Sequence, residues 1–155
     1  PELRFGVIGH AIAAVALNTN WGDGSRISEP ASRVEHHVNP CPATPIPEGY
    51  IPGRTVPNGQ AYAVEIDDET IFEFLTAVGM SGPARTITRI VVTALRDYGW
   101  EFVETGCGDP GLEFGLSLTE WEELGVTRGE IVGALDRLFE FATVVALNPA
   151  PVFSG

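Results

Sequence analysis

The chain has 155 residues and no lysine: its nine basic residues are all arginine and face 21 aspartates and glutamates, for a formal net charge of −12. The lack of lysine excludes Schiff-base chemistry, Ser–Lys dyads and the lysine-dependent phosphate-binding loop. The negative balance excludes nucleic acid as a partner, because a polyanion requires clustered positive charge.

The composition predicts one folded domain over residues 1–155. Hydrophobic residues make up 44% of the chain, enough for a core, and charged residues only 19%, too few for a disordered protein. The longest apolar run, Val7–Leu17, is shorter than the roughly 18 residues of a membrane span. Because the chain starts at Pro1, we expect a processed form or a fragment of a larger protein.

The first elements are a short helix at 2–5 and a strand. Val7–Leu17 is apolar at both alternating positions, which predicts a strand buried on both faces, with a helix as the alternative because of its alanines. Residues 18–60 hold seven of the twelve prolines and predict a long excursion without regular structure. Alternation at 61–66 predicts the next strand.

Two helices follow. The first covers 69–78 and ends at Gly79; the second covers 84–98, where Ser81 can cap it, Pro83 suits its first turn and Gly99 ends it. The predicted core faces are Ile71, Phe72, Leu75 and Val78 in the first helix, and Ile87, Ile90, Val91, Ala94, Leu95 and Tyr98 in the second.

The last third predicts two strands, two helices and a final strand. Residues 100–105 and 112–118 alternate and predict an antiparallel hairpin around the Gly/Cys/Asp/Pro turn. Capping-box spacing predicts a short helix to residue 124 from Thr119 with Glu122, and a second at 128–139 from Thr127 with Glu130.

With a last strand at 142–147, these elements predict the α+β class. We expect a mainly antiparallel sheet, alone or as part of a β-sandwich. Two or three helices pack on one face, and the proline-rich excursion covers one end.

Cys41 and Cys107 both lie beside prolines or glycines, in segments typical of surface turns, and they lack the spacing of a zinc or redox pair. Buried free thiols usually lie in apolar segments. The pattern therefore favours one disulfide between them, and with it a secreted or extracellular protein.

Four short segments, in order, resemble the C-terminal half of an uncharacterised family of exported bacterial proteins. They are Gly6–Ala11 (GVIGHA), Pro30–Arg33 (PASR), Ile46–Gly49 (IPEG) and Ala94–Trp100 (ALRDYGW). In that family a strand-rich half precedes the matching segment. The resemblance therefore implies that this chain is one half of a larger fold, and it implies no reaction.

The histidines are the first candidates for chemistry. An imidazole within an apolar strand must find hydrogen-bond partners, so His10 is either a satisfied structural residue or a general acid/base in a cleft. His36 and His37 are adjacent and point to opposite faces if extended. One of them could join His10 and Asp23 or Glu35 around zinc, but the spacing matches no metal motif, and we predict neither a metal nor another cofactor.

Arg33 could hold a carboxylate through its planar fork, or pair with Glu35. Asp67–Glu69 suggest calcium or glycosidase chemistry, but they precede a predicted helix, where negative charge favours a capping role.

The aromatic residues could form a sugar-stacking platform. We expect Tyr62 and Trp100 in the core instead, because they lie in predicted strands. Trp21, in a glycine-rich loop, is the aromatic residue that we expect to contact a ligand. The full set is Trp21, Tyr50, Tyr62, Trp100 and Trp121.

Two functions follow from these residues. The first is an exported structural or protein-interaction domain, a subunit or processed fragment of an extracellular assembly, with a protein partner or the missing N-terminal half on an apolar surface. The alternative is a secreted polysaccharide-active enzyme that uses His10 as acid/base and Arg33 to hold an acidic group.

Overall fold

The computed structural model describes residues 2–17, 59–106 and 111–147 and contains both helices and strands, which confirms the predicted α+β class. The helices are α1 (Glu2–Phe5), α2 (Asp68–Ala77), α3 (Gly82–Asp97), α4 (Leu118–Glu123), α5 (Arg128–Leu135) and a 3-10 turn (Leu138–Glu140). The strands are β1 (Ile12–Leu17), β2 (Ala61–Glu65), β3 (Trp100–Gly106), β4 (Gly111–Leu112) and β5 (Thr143–Ala146).

The five strands form one sheet in the order β4-β1-β3-β2-β5. β1 runs parallel to β3, with Ile12 opposite Trp100, and antiparallel to β4. β2 runs antiparallel to β3, with Ala61 opposite Glu101. β1 has a neighbour on each side, and Ile12 and Ala14, on one face, are buried, whereas Ala13, on the other face, is only half-buried. The predicted strand over 7–17 with both faces buried is therefore confirmed only in part, because the strand begins at Ile12.

The predicted hairpin of 100–105 and 112–118 is wrong. β1 lies between β3 and β4, and the second strand is only Gly111–Leu112. β4 instead pairs with β1, where the Glu113 amide also donates to the Ala13 carbonyl at 2.8 Å. Because β1 lies between β3 and β4, it has a hydrogen-bonded neighbour on each side. The alternation within 100–118 is local and does not predict that a distant strand lies between the two.

The described residues group into two compact units. One holds the five α-helices, and its buried side chains include Phe74, Val91, Ile131 and Leu138. The other holds β1, β3 and β4 and the start of β2, where the Tyr62 and Trp100 rings stack with centroids 5.7 Å apart. The ranges of the first unit are 2–11, 63–99 and 114–145, and those of the second are 12–17, 59–62, 100–106, 111–113 and 146–147.

The helix pair α2–α3 follows the sequence closely. Asp67 caps α2 by accepting from the Thr70 amide, and Gly79, at φ +74°, ends it. Ser81 is the N-cap residue of α3 through its backbone conformation alone, with no side-chain hydrogen bond, and Pro83 lies in the first turn. The predicted stripe on α3 is buried as far as Leu95, whereas Tyr98 lies beyond the helix and is exposed.

The two short helices α4 and α5 both begin with a complete capping box. Thr127 and Glu130 form the predicted one for α5. The box for α4 uses Ser117 and Glu120 rather than Thr119 and Glu122. The helix therefore starts two residues earlier than predicted, because the serine offers the same hydroxyl cap ahead of Leu118.

Candidate functional site

The sequence predicts that His10 lies inside a buried strand, and this prediction is wrong. α1 is followed by Gly6 in the left-handed region, at φ +79°, and the chain enters the sheet only at Ile12. The His10 side chain is 62% exposed. The imidazole is therefore a surface group on the segment that leads into β1.

Both ring nitrogens of His10 face an oxygen acceptor. Nδ1 lies 2.7 Å from the Ala11 carbonyl and Nε2 lies 3.0 Å from Oε2 of Glu2. A carbonyl and a carboxylate can only accept, so this arrangement favours the ring with a proton on each nitrogen. The Ala11 carbonyl, and after it the Glu2 carboxylate, raise the pKa of His10 above its ordinary value.

This geometry limits what His10 can do chemically. A general base needs a nitrogen lone pair directed at the substrate, and in this arrangement each nitrogen is engaged within the chain itself. The ion pair between His10 and Glu2 instead joins α1 to the segment that precedes β1. A second ion pair, between Arg4 and Glu123, joins α1 to α4.

In the acidic cluster at 67–69, Asp67 caps α2, as the capping interpretation predicts. Oδ1 of Asp67 accepts from the Thr70 amide at 2.7 Å, which holds the pKa of Asp67 below its ordinary value. Asp68 lies 2.6 Å from the Arg96 guanidinium. Contacts within the protein therefore explain the roles of Asp67 and Asp68, and neither carboxylate needs a bound ligand to explain it.

The described aromatic residues of the proposed stacking platform are packed against protein. Trp100 is buried, which confirms its core placement, and it stacks on Tyr62, which is only half-buried. Trp121 is buried as well, with its ring 5.8 Å from that of Phe114. An exposed sugar platform is therefore not formed by these three side chains.

The other predicted site residues lie outside the described residues. They are Trp21, Asp23, Arg33, Glu35, His36, His37, Cys41, Tyr50 and Cys107. The convergence of His10 with Arg33 and the disulfide accordingly stay predictions. Within the described ranges, no group of three or more histidine, cysteine or carboxylate side chains could hold a metal ion.

A set of large apolar side chains lies at the surface, which the sequence patterns did not predict. Phe5 and Leu118 are each 81% exposed and Phe72 is 65% exposed. Residues three and four positions after Ile71 share its helix face, and these are Phe74 and Leu75 rather than Phe72. Helical spacing applied strictly therefore predicts the exposure of Phe72. The full set is Phe5, Val7, Phe72, Tyr98, Val103, Leu118, Phe139, Val144 and Leu147.

Comparisons of the chain with protein-family models, with curated proteins and with solved structures found no match. Among the described helices, none is long and apolar enough to cross a membrane. The evidence for function is therefore the exposure of side chains at the surface and the contacts of individual residues.

Proposed function

We propose that this chain is an exported protein-interaction domain that works as a subunit or processed fragment of a larger extracellular assembly. The observation that carries the proposal is the exposure of Phe5, Phe72 and Leu118, which lie on the helices α1, α2 and α4. Exposing a large apolar side chain forfeits about 1.5–3 kcal/mol relative to burying it. A partner that covers such side chains would recover part of that free energy.

The contrast within α2 strengthens this interpretation. Phe74 is completely buried and touches the Phe141 ring, with centroids 5.5 Å apart, so the helix already has a core face. Phe72, on the other side, is covered only in part, by the Arg85 guanidinium 4.8 Å from its ring centroid. Aromatic residues, including phenylalanine, and arginine are both enriched at protein interfaces.

The choice of an exported, extracellular setting depends on the turn contexts of Cys41 and Cys107 and on the resemblance to an exported family. Intact mass measurement of the chain from its natural source tests the disulfide. We expect a mass lower than that of the reduced chain by two hydrogen atoms. Equal masses before and after reduction would remove the argument for an oxidising compartment.

Site-specific photo-crosslinking tests the interaction function. A photo-reactive amino acid replaces Phe5, Phe72 or Leu118, one at a time, in the chain produced in its natural host. We expect at least one position to give a discrete crosslinked product, while the same probe at Glu73, an exposed polar position on α2, gives none. A chain that crosslinks at no apolar position contradicts the proposal.

The polysaccharide-active enzyme ranks second. It needs a ring nitrogen of His10 available to a substrate, and both nitrogens are paired with Ala11 and Glu2. No described contact favours it over the interaction function.

A further inference from the structure

The two edges of the sheet differ in how they are protected against pairing with another strand. β4, at one edge, has only two residues, and in the sequence it follows Asp109 and Pro110 and precedes Glu113. Short length, proline and charge are the devices by which proteins keep a sheet edge from recruiting further strands. This edge is therefore protected.

β5, at the other edge, lacks proline and charge. From Phe141 to Asn148 the sequence is FATVVALN, eight residues without a charge or a proline, in a chain whose net charge is −12. Val144, in the strand, is 41% exposed, and Leu147, which follows it, is exposed too. Among the described strands, only β2 lies beside β5.

The backbone of β5 offers hydrogen-bonding groups away from the sheet. The Leu147 amide donates to the Ala61 carbonyl at the start of β2, at 2.9 Å. Counting back from Leu147 with the alternation of amide directions along a strand assigns the Val145 amide to the side of β2 and the amides of Val144 and Ala146 to the open side. An incoming strand could pair with these amides without disturbing the bonds to β2.

Charge decides which kind of strand would pair there. A second copy of this chain carries the same net charge of −12, so self-association brings two strongly acidic molecules together. A foreign strand that carries arginine or lysine is attracted by the same field that repels a second copy.

We infer that the open edge of β5 is the docking site for an extended, arginine- or lysine-bearing segment of a partner protein, which adds a strand beside β5. This inference rests on the proposed interaction function and assigns it a place and a partner chemistry. Main-chain hydrogen bonds supply the affinity in this mode of recognition, and alternate side chains of the added strand contact the protein.

The test uses the full chain and a synthetic peptide of alternating arginine and valine, with amide hydrogen exchange followed by NMR. We expect the amides of Val144 and Ala146 to exchange about tenfold more slowly or better when the peptide is bound, since each gains a hydrogen bond. Two control peptides accompany it. One has glutamate in place of arginine, and the other keeps every charge but has its pairing amides N-methylated.

The variants Val144→Pro and Val144→Thr complete the test. Proline removes an amide that faces away from β2, so it blocks the added strand and spares the sheet. Threonine keeps the amide and the β-branched shape and should bind as the parent does. If Val144→Pro fails to fold, the N-methylated peptide provides the same comparison from the partner's side.

Several outcomes overturn the inference. Equal protection by the N-methylated peptide shows that charge alone drives binding, and equal protection by the glutamate peptide shows that the edge does not select cations. Protection that rises with protein concentration alone identifies a second copy as the occupant. If β5 stays unprotected while Phe5, Phe72 or Leu118 crosslinks to a partner, the edge inference fails and the interaction function stands.

Discussion

At the scale of single residues, His10 is defined by its two acceptors. The Ala11 carbonyl makes the larger contribution to its raised pKa, and the Glu2 carboxylate adds to it. The sequence correctly indicated that the imidazole needs partners, but it could not reveal that Glu2, eight residues earlier, is one of them. That contact depends on the turn at Gly6, which brings α1 back toward the segment before β1.

We predict that His10 titrates above its ordinary pKa and that Glu2→Gln moves the pKa only part of the way back, because the Ala11 carbonyl remains. Since the folded pKa is raised, the stabilisation is fully present below the unfolded-state pKa and is lost as the pH rises through the folded value. The pair is exposed, so its loss should cost less than about 1 kcal/mol. NMR titration of the imidazole in the parent and the variant checks this, and identical titration curves would contradict it.

Arg85 binds the end of α2 in several ways at once. Its guanidinium lies over the Phe72 ring and donates to Oγ1 of Thr76 and to the Met80 carbonyl, both at 3.3 Å. A lysine ammonium cannot provide this planar set of donors together with ring stacking.

We therefore predict that Arg85→Lys lowers the free energy of unfolding by about 0.5–1 kcal/mol. Arg89→Lys is the matched control, because Arg89 is exposed and lies one turn further along the same helix. Urea denaturation of the two variants provides the measurement. Equal effects at both positions would show that the contacts around Phe72 contribute nothing beyond charge.

At the scale of elements, the sequence predicts helices better than strand pairing. Capping residues and helical spacing are local, and they located α2, α3 and α5 to within a few residues of their observed starts. The core face of α2 is predicted less well, because the sequence pattern places Phe72 in the core, whereas the buried residue is Phe74. The partner of β4 was missed because β1, about a hundred residues earlier in the chain, supplies it, and alternation carries no information about pairing at that distance.

The α4 capping box offers a direct comparison of two hydroxyls. Ser117 accepts from the Glu120 amide at 3.3 Å, and Oε2 of Glu120 accepts from the Ser117 amide at 2.9 Å. We predict that Ser117→Ala lowers the unfolding free energy by about 1 kcal/mol. Thr119→Ala, inside the helix, should be neutral or slightly stabilising. Thermal unfolding of both variants measures this; a larger loss at Thr119 would mean that the helix starts where the sequence pattern first suggested.

Replacing two exposed glycines, one just after α2 and one inside α5, by alanine should change the free energy of unfolding in opposite directions. Gly79 ends α2 at φ +74°, where its amide donates to the Thr76 carbonyl and the next amide, of Met80, donates to the Leu75 carbonyl. Gly133 lies within α5, and a methyl group there would meet open space.

We predict that Gly79→Ala destabilises the fold by about 1 kcal/mol, because a side chain strains the left-handed conformation. Gly133→Ala should stabilise it by about 0.5–1 kcal/mol by improving the helix propensity. Chemical denaturation of the two variants, measured side by side, checks both signs. Stabilisation by both would mean that the end of α2 rearranges without strain.

At the scale of the whole molecule, the residues that suggest a reaction and the residues that form the described fold lie mostly in different parts of the chain. Most of the residues that suggested a reaction, such as Arg33 and His36, lie in the proline-rich stretch outside the described residues. Residue type alone suggested what these side chains could bind. Their convergence depends on long-range geometry, as the surface placement of His10 illustrates, and sequence periodicity does not supply that geometry.

Net charge leads to a prediction about the molecule as a whole. Negative charges exceed positive ones by 12, and such an excess destabilises the folded state through self-repulsion. Raising the ionic strength from about 0.01 M to about 0.15 M shortens the Debye length from roughly 30 Å to roughly 8 Å, so repulsion between distant carboxylates fades first. Ion pairs such as Arg4–Glu123 and Arg137–Glu140 are weakened too, but they lie in direct contact and lose less.

We therefore predict that salt raises the urea midpoint of unfolding. A non-ionic solute at equal osmolarity is the control, and a midpoint that falls with salt would show that the ion pairs outweigh the repulsion.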